Sequence, residues 1–276
     1  MKNLQIALLT NKISKLFGLL AQKEFPPIVQ NILNNLYVKI TGVDLSEFHS
    51  AKYYKSLNAL FTRELLKPRE FSNDSKDIIS PSDSLISEFG DLHDNRALQI
   101  KGFGYSVDEL LTTHIQEENL NKIKNGKFIN FYLSPKDYHR YHVALNMKVT
   151  KAIHVPGLLY PVNFKYLKKV QNLFVKNERV ILECFSDEGR VFYMILVGAL
   201  NVGKMTLSFD DRIETNSDTK KIQVYEYEDL YLQKGDELGM FKMGSTVVMI
   251  FEKDFVKLKC KLMQKVSFGD TIATKV

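Results

Sequence analysis

From residue 78 onward the chain is a succession of short runs of β-branched and aromatic residues separated by turn residues, and this texture limits the fold more than any other feature. The runs are Phe128 to Leu133, Val149 to Val155, Arg179 to Cys184, Val191 to Val197, Lys204 to Phe209, Thr246 to Phe251 and Val256 to Leu262. Branched and aromatic side chains pack well on a pleated surface, and runs of this length bounded by turns read as strands. The spacing predicts a β-rich body of barrel or sandwich character. One helical patch, Val107 to Leu111, follows the turn at Gly102-Phe103-Gly104.

Residues 1–68 have a different texture and read as helical. Ile13, Leu16, Phe17, Leu19 and Leu20, then Ile28, Ile32, Leu33 and Leu36, recur at helical spacing, with Lys12, Lys15 and Lys23 between them. A further helical run, Leu57 to Leu66, ends at Pro68, which stops a helix. The expected class is α+β, with a helical N-terminal region at 1–68 and a β-rich body at 69–276. At 276 residues the chain is long enough to bury a sizeable core.

Charge and cysteine usage narrow the partners. Lys and Arg number 38 against 32 Asp and Glu, a net charge of +6. The basic residues are dispersed and form no nucleic-acid motif, so no nucleic-acid partner is expected. An anionic membrane surface and a plain solvated surface both fit the excess. The N-terminal helices can pack on a core or lie in a membrane interface, with the lysines toward anionic headgroups. No window reaches the roughly 18 apolar residues of a membrane span. The first residues have no small-residue cleavage site, so no secretory signal is expected. Cys184 and Cys260 stand in apolar contexts without metal-ligand spacing and are expected to be reduced and buried.

Three segments carry reactive groups. Gly244-Ser245-Thr246 precedes an apolar run, which is ordinary turn chemistry, but the Ser245 hydroxyl is also within reach of the preceding Gly244 carbonyl. Asp83, in Ser80-Pro81-Ser82-Asp83, reads as a turn residue by itself. His139 and His142 stand three apart after a strand and a proline turn; without further ligands at zinc spacing, no metal site is expected. An aspartate, a histidine and a glycine-preceded serine are together an orienter, a base and a nucleophile, and such triads assemble by geometry rather than chain order.

Several of these segments, read in register, resemble the phosphatidylserine decarboxylase family, of the prokaryotic proenzyme type. The resemblance rests on Ser80-Pro-Ser-Asp83, Lys101-Gly-Phe-Gly-Tyr105-Ser106, Asp137-Tyr-His139-Arg-Tyr-His142, Val155-Pro-Gly157, Asn177-Glu-Arg179-Val and Met243-Gly-Ser245-Thr. Val197-Gly-Ala-Leu-Asn201-Val-Gly203 and Lys234-Gly-Asp-Glu-Leu-Gly239 fit the same pattern, in the family's order from about residue 57 to 251. Three positions depart from it. Ser84 stands for the usual Gly, Met243 for the usual Leu, and Ala144 for a frequent Pro.

The resemblance implies a catalytic set of Asp83, His142 and Ser245. Ser245 attacks the Gly244 carbonyl with His142 as general base and Asp83 orienting it. The ester then eliminates, and the dehydroalanine hydrolyses to a covalent pyruvoyl group with loss of ammonia. Cleavage between Gly244 and Ser245 leaves a large chain, 1–244, and a small chain, 245–276, associated as a heterodimer. The family converts phosphatidylserine to phosphatidylethanolamine and CO2 through a Schiff base on that pyruvoyl group, and His139 is a second-tier candidate for positioning the carboxylate or supplying the proton. Phosphatidylserine in an anionic membrane is the implied partner, met by a peripheral protein on the cytoplasmic side of the cell membrane. Two other readings stay open from the residues: a serine hydrolase using Asp83, His142 and Ser245, and a non-catalytic lipid-binding protein of the membrane surface.

Overall fold

The computed structural model describes residues 18–93, 95–100, 103–200, 204–216, 219–242 and 245–276. Among them residues 18–22 are helical, and the further helices are α1 (Pro27–Thr41), α2 (Leu57–Phe61), α3 (Val107–Leu111), α4 (Glu117–Ile123), α5 (Phe164–Leu167) and α6 (Leu173–Lys176). The strands begin with β1 (Asp77–Ile79), β2 (Ser84–Asp91), β3 (Arg96–Ile100), β4 (Phe103–Ser106), β5 (Lys127–Leu133), β6 (Arg140–His142), β7 (Met147–Val155) and β8 (Arg179–Ser186). They continue with β9 (Val191–Val197), β10 (Met205–Leu207), β11 (Gln223–Leu232), β12 (Glu237–Phe241), β13 (Ser245–Phe251), β14 (Val256–Leu258), β15 (Lys265–Val266) and β16 (Thr271–Lys275).

The expected α+β class holds. The body is organised on an antiparallel eight-stranded sheet of order β11-β7-β8-β9-β13-β5-β2-β15. It has two edges, β11 and β15, so the sheet is open and the barrel expectation is corrected. Smaller sheets, β1-β16-β14, β10-β12-β6 and β3-β4, accompany it. The middle of the large sheet is the core: every residue of β9 is buried, as are Val247 to Phe251 of β13. Removing so much branched and aromatic surface from water is the main stabilising contribution, at about 25 cal/mol per Å² of apolar area. Cys184 and Cys260 are buried free thiols, as expected.

β13 lies between β9 and β5, with Thr246 opposite both Val197 and Tyr132, and its first residue, Ser245, opposite Leu133. The rest of the C-terminal segment is also tied in: β15 pairs with β2, and β16 bridges β1 and β14.

The N-terminal region is less helical than its spacing suggested. Residues 42–56 are irregular apart from a single 3-10 turn at Ala51–Tyr53. The run expected at 57–66 is helical only to Phe61. The Ser56 hydroxyl caps its start by accepting from the Ala59 N–H, and the Thr62 hydroxyl donates to the Asn58 carbonyl at 2.9 Å where it ends. Beyond that point long-range bonds take over: Arg63 donates to the Lys136 carbonyl and the Leu66 N–H to the Glu47 carbonyl. Of the expected amphipathic stretch, Lys12, Ile13, Lys15, Leu16 and Phe17 lie outside the described residues.

Helix α1 reverses the usual amphipathic arrangement. Its polar residues Gln30 and Asn34 are buried, and the Gln30 amide donates to Asn34. The Asn34 amide in turn donates to the Ala51 and Tyr54 carbonyls at 2.8 Å each. Ile28, Ile32, Leu36 and Ile40, four residues apart along one face, are 78%, 60%, 51% and 74% exposed.

Candidate active site

The stretch from β5 to β6, which carries the histidines, pairs with residues on either side of 243–244. At one end Leu133, the last residue of β5, pairs with Ser245. At the other the Phe241 N–H donates to the His139 carbonyl at 2.9 Å, and β6 pairs with β12. The connection between those two ends runs from Ser134 to Tyr138. It is held by Asp137, whose half-buried carboxylate accepts from both the N–H and the hydroxyl of Ser134 at 2.7 Å. Burial raises the affinity of that carboxyl for a proton and the Ser134 donors oppose it. Met243 and Gly244 lie outside the described residues; Ser245 is described by its place at the start of β13.

His142 is 7% exposed and constrained on three sides. Its Nδ1 donates to the Gly235 carbonyl at 3.0 Å, which leaves the lone pair on Nε2, and there the Tyr138 hydroxyl donates at 3.1 Å. Its ring stacks on Phe268 with centroids 3.6 Å apart. The turn presenting the Gly235 carbonyl needs glycine: φ is +93°, and a Cβ would run into the Phe71 ring. Burial lowers the His142 pKa to about 4, against the Gly235 carbonyl, which raises it; Arg140 and Arg69 push it down and the Asp83 charge pulls it up. The imidazole is therefore neutral at neutral pH.

His139 is fully buried, with its ring 3.9 Å from that of Phe61. Its Nδ1 donates to the Asp137 carbonyl at 2.8 Å. Its Nε2 is buried without a hydrogen-bond partner among the described residues, and so is the hydroxyl of Thr246, next to Ser245. Burial drives the His139 pKa down to about 3, so Nε2 carries a lone pair. A buried polar atom left without a partner costs about 1–3 kcal/mol.

Asp83 does not hydrogen-bond to His142 among the described residues. Arg69 holds its carboxylate bidentately, and the Phe268 N–H donates to Oδ1 at 2.8 Å. Arg69 also binds Glu47. Phe268 is thus the link, donating through its backbone to Asp83 and stacking its ring on His142. The expected orienter and base share one cluster, connected through a third residue and through the Asp83 charge.

Sequence reasoning missed Arg69, Tyr138, Phe268 and Gly235. Tyr138 lay inside the histidine motif one helical-like step from His142, a signal available but unused. Arg69 was passed over as the residue after a helix stop. Phe268 is 185 residues from Asp83 in sequence and carries no local signal.

The chain matches the family model described as "Phosphatidylserine decarboxylase" over residues 57–274. It is 44% identical over 265 residues to a phosphatidylserine decarboxylase proenzyme of Campylobacter jejuni subsp. jejuni, covering 94% of this chain and 97% of that protein. A Helicobacter pylori protein of the same name is 44% identical over 267 residues, covering 96% and 97%. One from Actinobacillus pleuropneumoniae is 36% identical over 271 residues, covering 95% and 90%. A family match across the whole β-rich body, with relatives aligned over nearly their full lengths, means that the chain belongs to the phosphatidylserine decarboxylase family.

Proposed function

We propose that this chain is made as a proenzyme, cuts itself between Gly244 and Ser245, and then decarboxylates phosphatidylserine to phosphatidylethanolamine and CO2. The observation that carries the reading is the unsatisfied, neutral Nε2 of His139 on a stretch, β5 to β6, whose backbone pairs with Ser245 at one end and with Phe241 at the other.

In the first step Ser245 Oγ gives its proton to His142 and attacks the Gly244 carbonyl, converting the peptide bond into an ester. His142 reaches Ser245 either through Tyr138, whose hydroxyl sits on Nε2, or by displacing it. Asp83 and Phe268 hold the ring, and the Asp83 charge favours the imidazolium that forms. Loss of the proton on the serine Cα expels the Gly244 carboxylate, and hydrolysis of the resulting dehydroalanine releases ammonia. A pyruvoyl group formed there supplies a conjugated carbonyl that accepts electrons as CO2 leaves. His139 Nε2 takes a proton from the substrate's ammonium and returns one to the carbon that lost CO2.

The cut pieces stay together because residues 245–276 contribute β13 to the centre of the large sheet and β16 to the centre of a small one. Their backbone hydrogen bonds and buried side chains replace the covalent link.

The substrate's bilayer is met by α1. Its exposed row of Ile28, Ile32, Leu36 and Ile40 enters the lipid interface of an anionic membrane, with Lys23 and Lys39 toward headgroups. No helix among the described residues is long and apolar enough to cross a membrane, and docking from the cytoplasmic side requires none.

The test is incubation of purified protein with vesicles containing carboxyl-labelled phosphatidylserine, with and without prior borohydride reduction. Labelled CO2 that disappears after reduction is the expected result. CO2 release that survives it, or no release from a cleaved protein, contradicts the reading.

A further inference from the structure

Arg63 is the least satisfied charge in the described protein. It is 3% exposed, yet its only hydrogen bond runs from Nη2 to the Lys136 carbonyl at 2.8 Å. Nε and Nη1 have no partner among the described residues, and the guanidinium lies 4.5 Å from the centre of the Phe48 ring. A guanidinium taken from water without a counter-ion costs several kcal/mol. Burial lowers the Arg63 pKa, as expected for a cation lacking a paired carboxylate.

Arg63 stands in the wall of a cavity of about 390 Å³, with His49, Tyr54, Thr62, Leu65 and Arg140 among its neighbours there. The Tyr54 hydroxyl is a second buried polar atom with no hydrogen-bond partner among the described residues. Arg140 is already covered by Glu237 and by Glu64, whose side chain is 75% exposed. A second cavity that Arg63 also borders is lined by Asp44, Glu47, Asp83 and Asp137 together with Lys136 and with Arg69, which is already paired to Glu47 and Asp83.

The placement identifies the anion. Tyr54 lies on the segment that accepts from Asn34 of α1, the helix with the exposed apolar row. On the other side Arg63 grips the loop carrying Asp137 and His139, and Phe61, two residues earlier, packs on the His139 ring. Neither histidine of the reaction lines the cavity; His139 adjoins it through Phe61 and through the Lys136 carbonyl that Arg63 holds.

We propose that Arg63 and the Tyr54 hydroxyl form a subsite for the headgroup phosphodiester, holding the substrate by its phosphate while the serine end extends toward His139 and Ser245. This deepens the decarboxylase reading and rests on it for the identity of the ligand. Serine alone lacks the gripped group, so the subsite selects phospholipid over the free amino acid.

Calorimetric titration of the full-length Ser245→Ala protein with glycerophosphoserine, inorganic phosphate and free serine tests the site without turnover. Glycerophosphoserine is expected to bind, and Arg63→Gln to weaken it about 10- to 100-fold, the worth of a charge-assisted pair of hydrogen bonds. Arg63→Lys should recover part of that loss. Tyr54→Phe should weaken binding about 2- to 10-fold with an unchanged melting temperature, because its hydroxyl makes no bond to lose. This second variant decides the matter if Arg63→Gln does not fold. Equal affinity in the wild-type and variant backgrounds overturns the subsite, as does Arg63-dependent binding of serine. Binding of inorganic phosphate but not glycerophosphoserine overturns the headgroup assignment. Arg63-dependent binding in a protein whose Ser245 form releases no CO2 leaves the subsite standing and removes the reaction. An unchanged KM for dispersed short-chain phosphatidylserine in processed Arg63→Gln, with rates normalised to pyruvoyl content, does the reverse.

Discussion

Helix α1 and the central sheet obey the same rule of burial with opposite results. In β9 and β13 branched and aromatic residues are buried from end to end. In α1 the buried face is the amide pair Gln30 and Asn34, and the row Ile28, Ile32, Leu36 and Ile40 is exposed. A sheet whose central strands are buried on both faces supplies a rigid frame that fixes backbone positions, which the self-cleavage we propose requires. A helix anchored by hydrogen bonds and apolar outside has its hydrophobic partner elsewhere, and the lipid interface is the partner we propose. Chemistry and access to substrate are thereby assigned to separate parts of the chain.

Variants can break this division. The largest effect is expected for Ser245→Ala, which removes the nucleophile at the sheet: neither cleavage nor CO2 release from any form of phosphatidylserine should be detectable by gel and label assays. His142→Ala should slow self-cleavage about 100- to 10,000-fold, the usual worth of a general base. Asp83→Ala also frees Arg69 and the Phe268 N–H, and should impair cleavage less. Normal processing in either variant removes that residue from its role.

At the helix, combined Ile28→Asp, Ile32→Asp and Ile40→Asp should reduce turnover of vesicle phosphatidylserine about 100-fold more than turnover of dispersed short-chain substrate. Each isoleucine is worth about 1.5–3 kcal/mol on full burial and less at an interface. Equal losses on the two substrates would erase the division between the regions. Asn34→Leu sharpens it from inside: the Ala51 and Tyr54 carbonyls lose their donor, and chemical denaturation should register a loss of about 1–3 kcal/mol.

The two histidines provide a pH test of the segment that carries them. Their folded pKa values, about 3 for His139 and about 4 for His142, lie below the unfolded 6.5. Unfolded chains therefore bind more protons in this window, so their contribution is complete above pH 6.5 and is lost as pH falls through 4 toward 3. A melting temperature that drops steadily below pH 6.5, with a shallower drop in His142→Gln, is the expected titration. The cleavage rate should stay flat from pH 8 to about 5, since the base is neutral throughout.

Much of the frame was legible in the sequence because β-branched runs such as Val191 to Val197 leave little choice but a buried strand. The edge strand β11 escaped notice because its exposed positions carry Glu226 and Glu228 and its run lacks a continuous apolar stretch. At 57–66 helical spacing was overridden by contacts Arg63 and Leu66 make with distant backbone. The reactive residues were readable as motifs, but their connection was not. Phe268 joins Asp83 to His142 across most of the chain, and Arg63 is unpaired only because of how the loops around it close.

The central claim is that Gly244 and Ser245 are joined by a bond the protein itself breaks, and intact-mass measurement of freshly purified protein tests it most directly. The account predicts a 1–244 chain and a 32-residue chain blocked at its N-terminus, about 17 Da lighter than its serine form, the mass of the ammonia lost when a serine becomes a pyruvoyl group. A single 31.8 kDa chain with an unmodified Ser245 would contradict it.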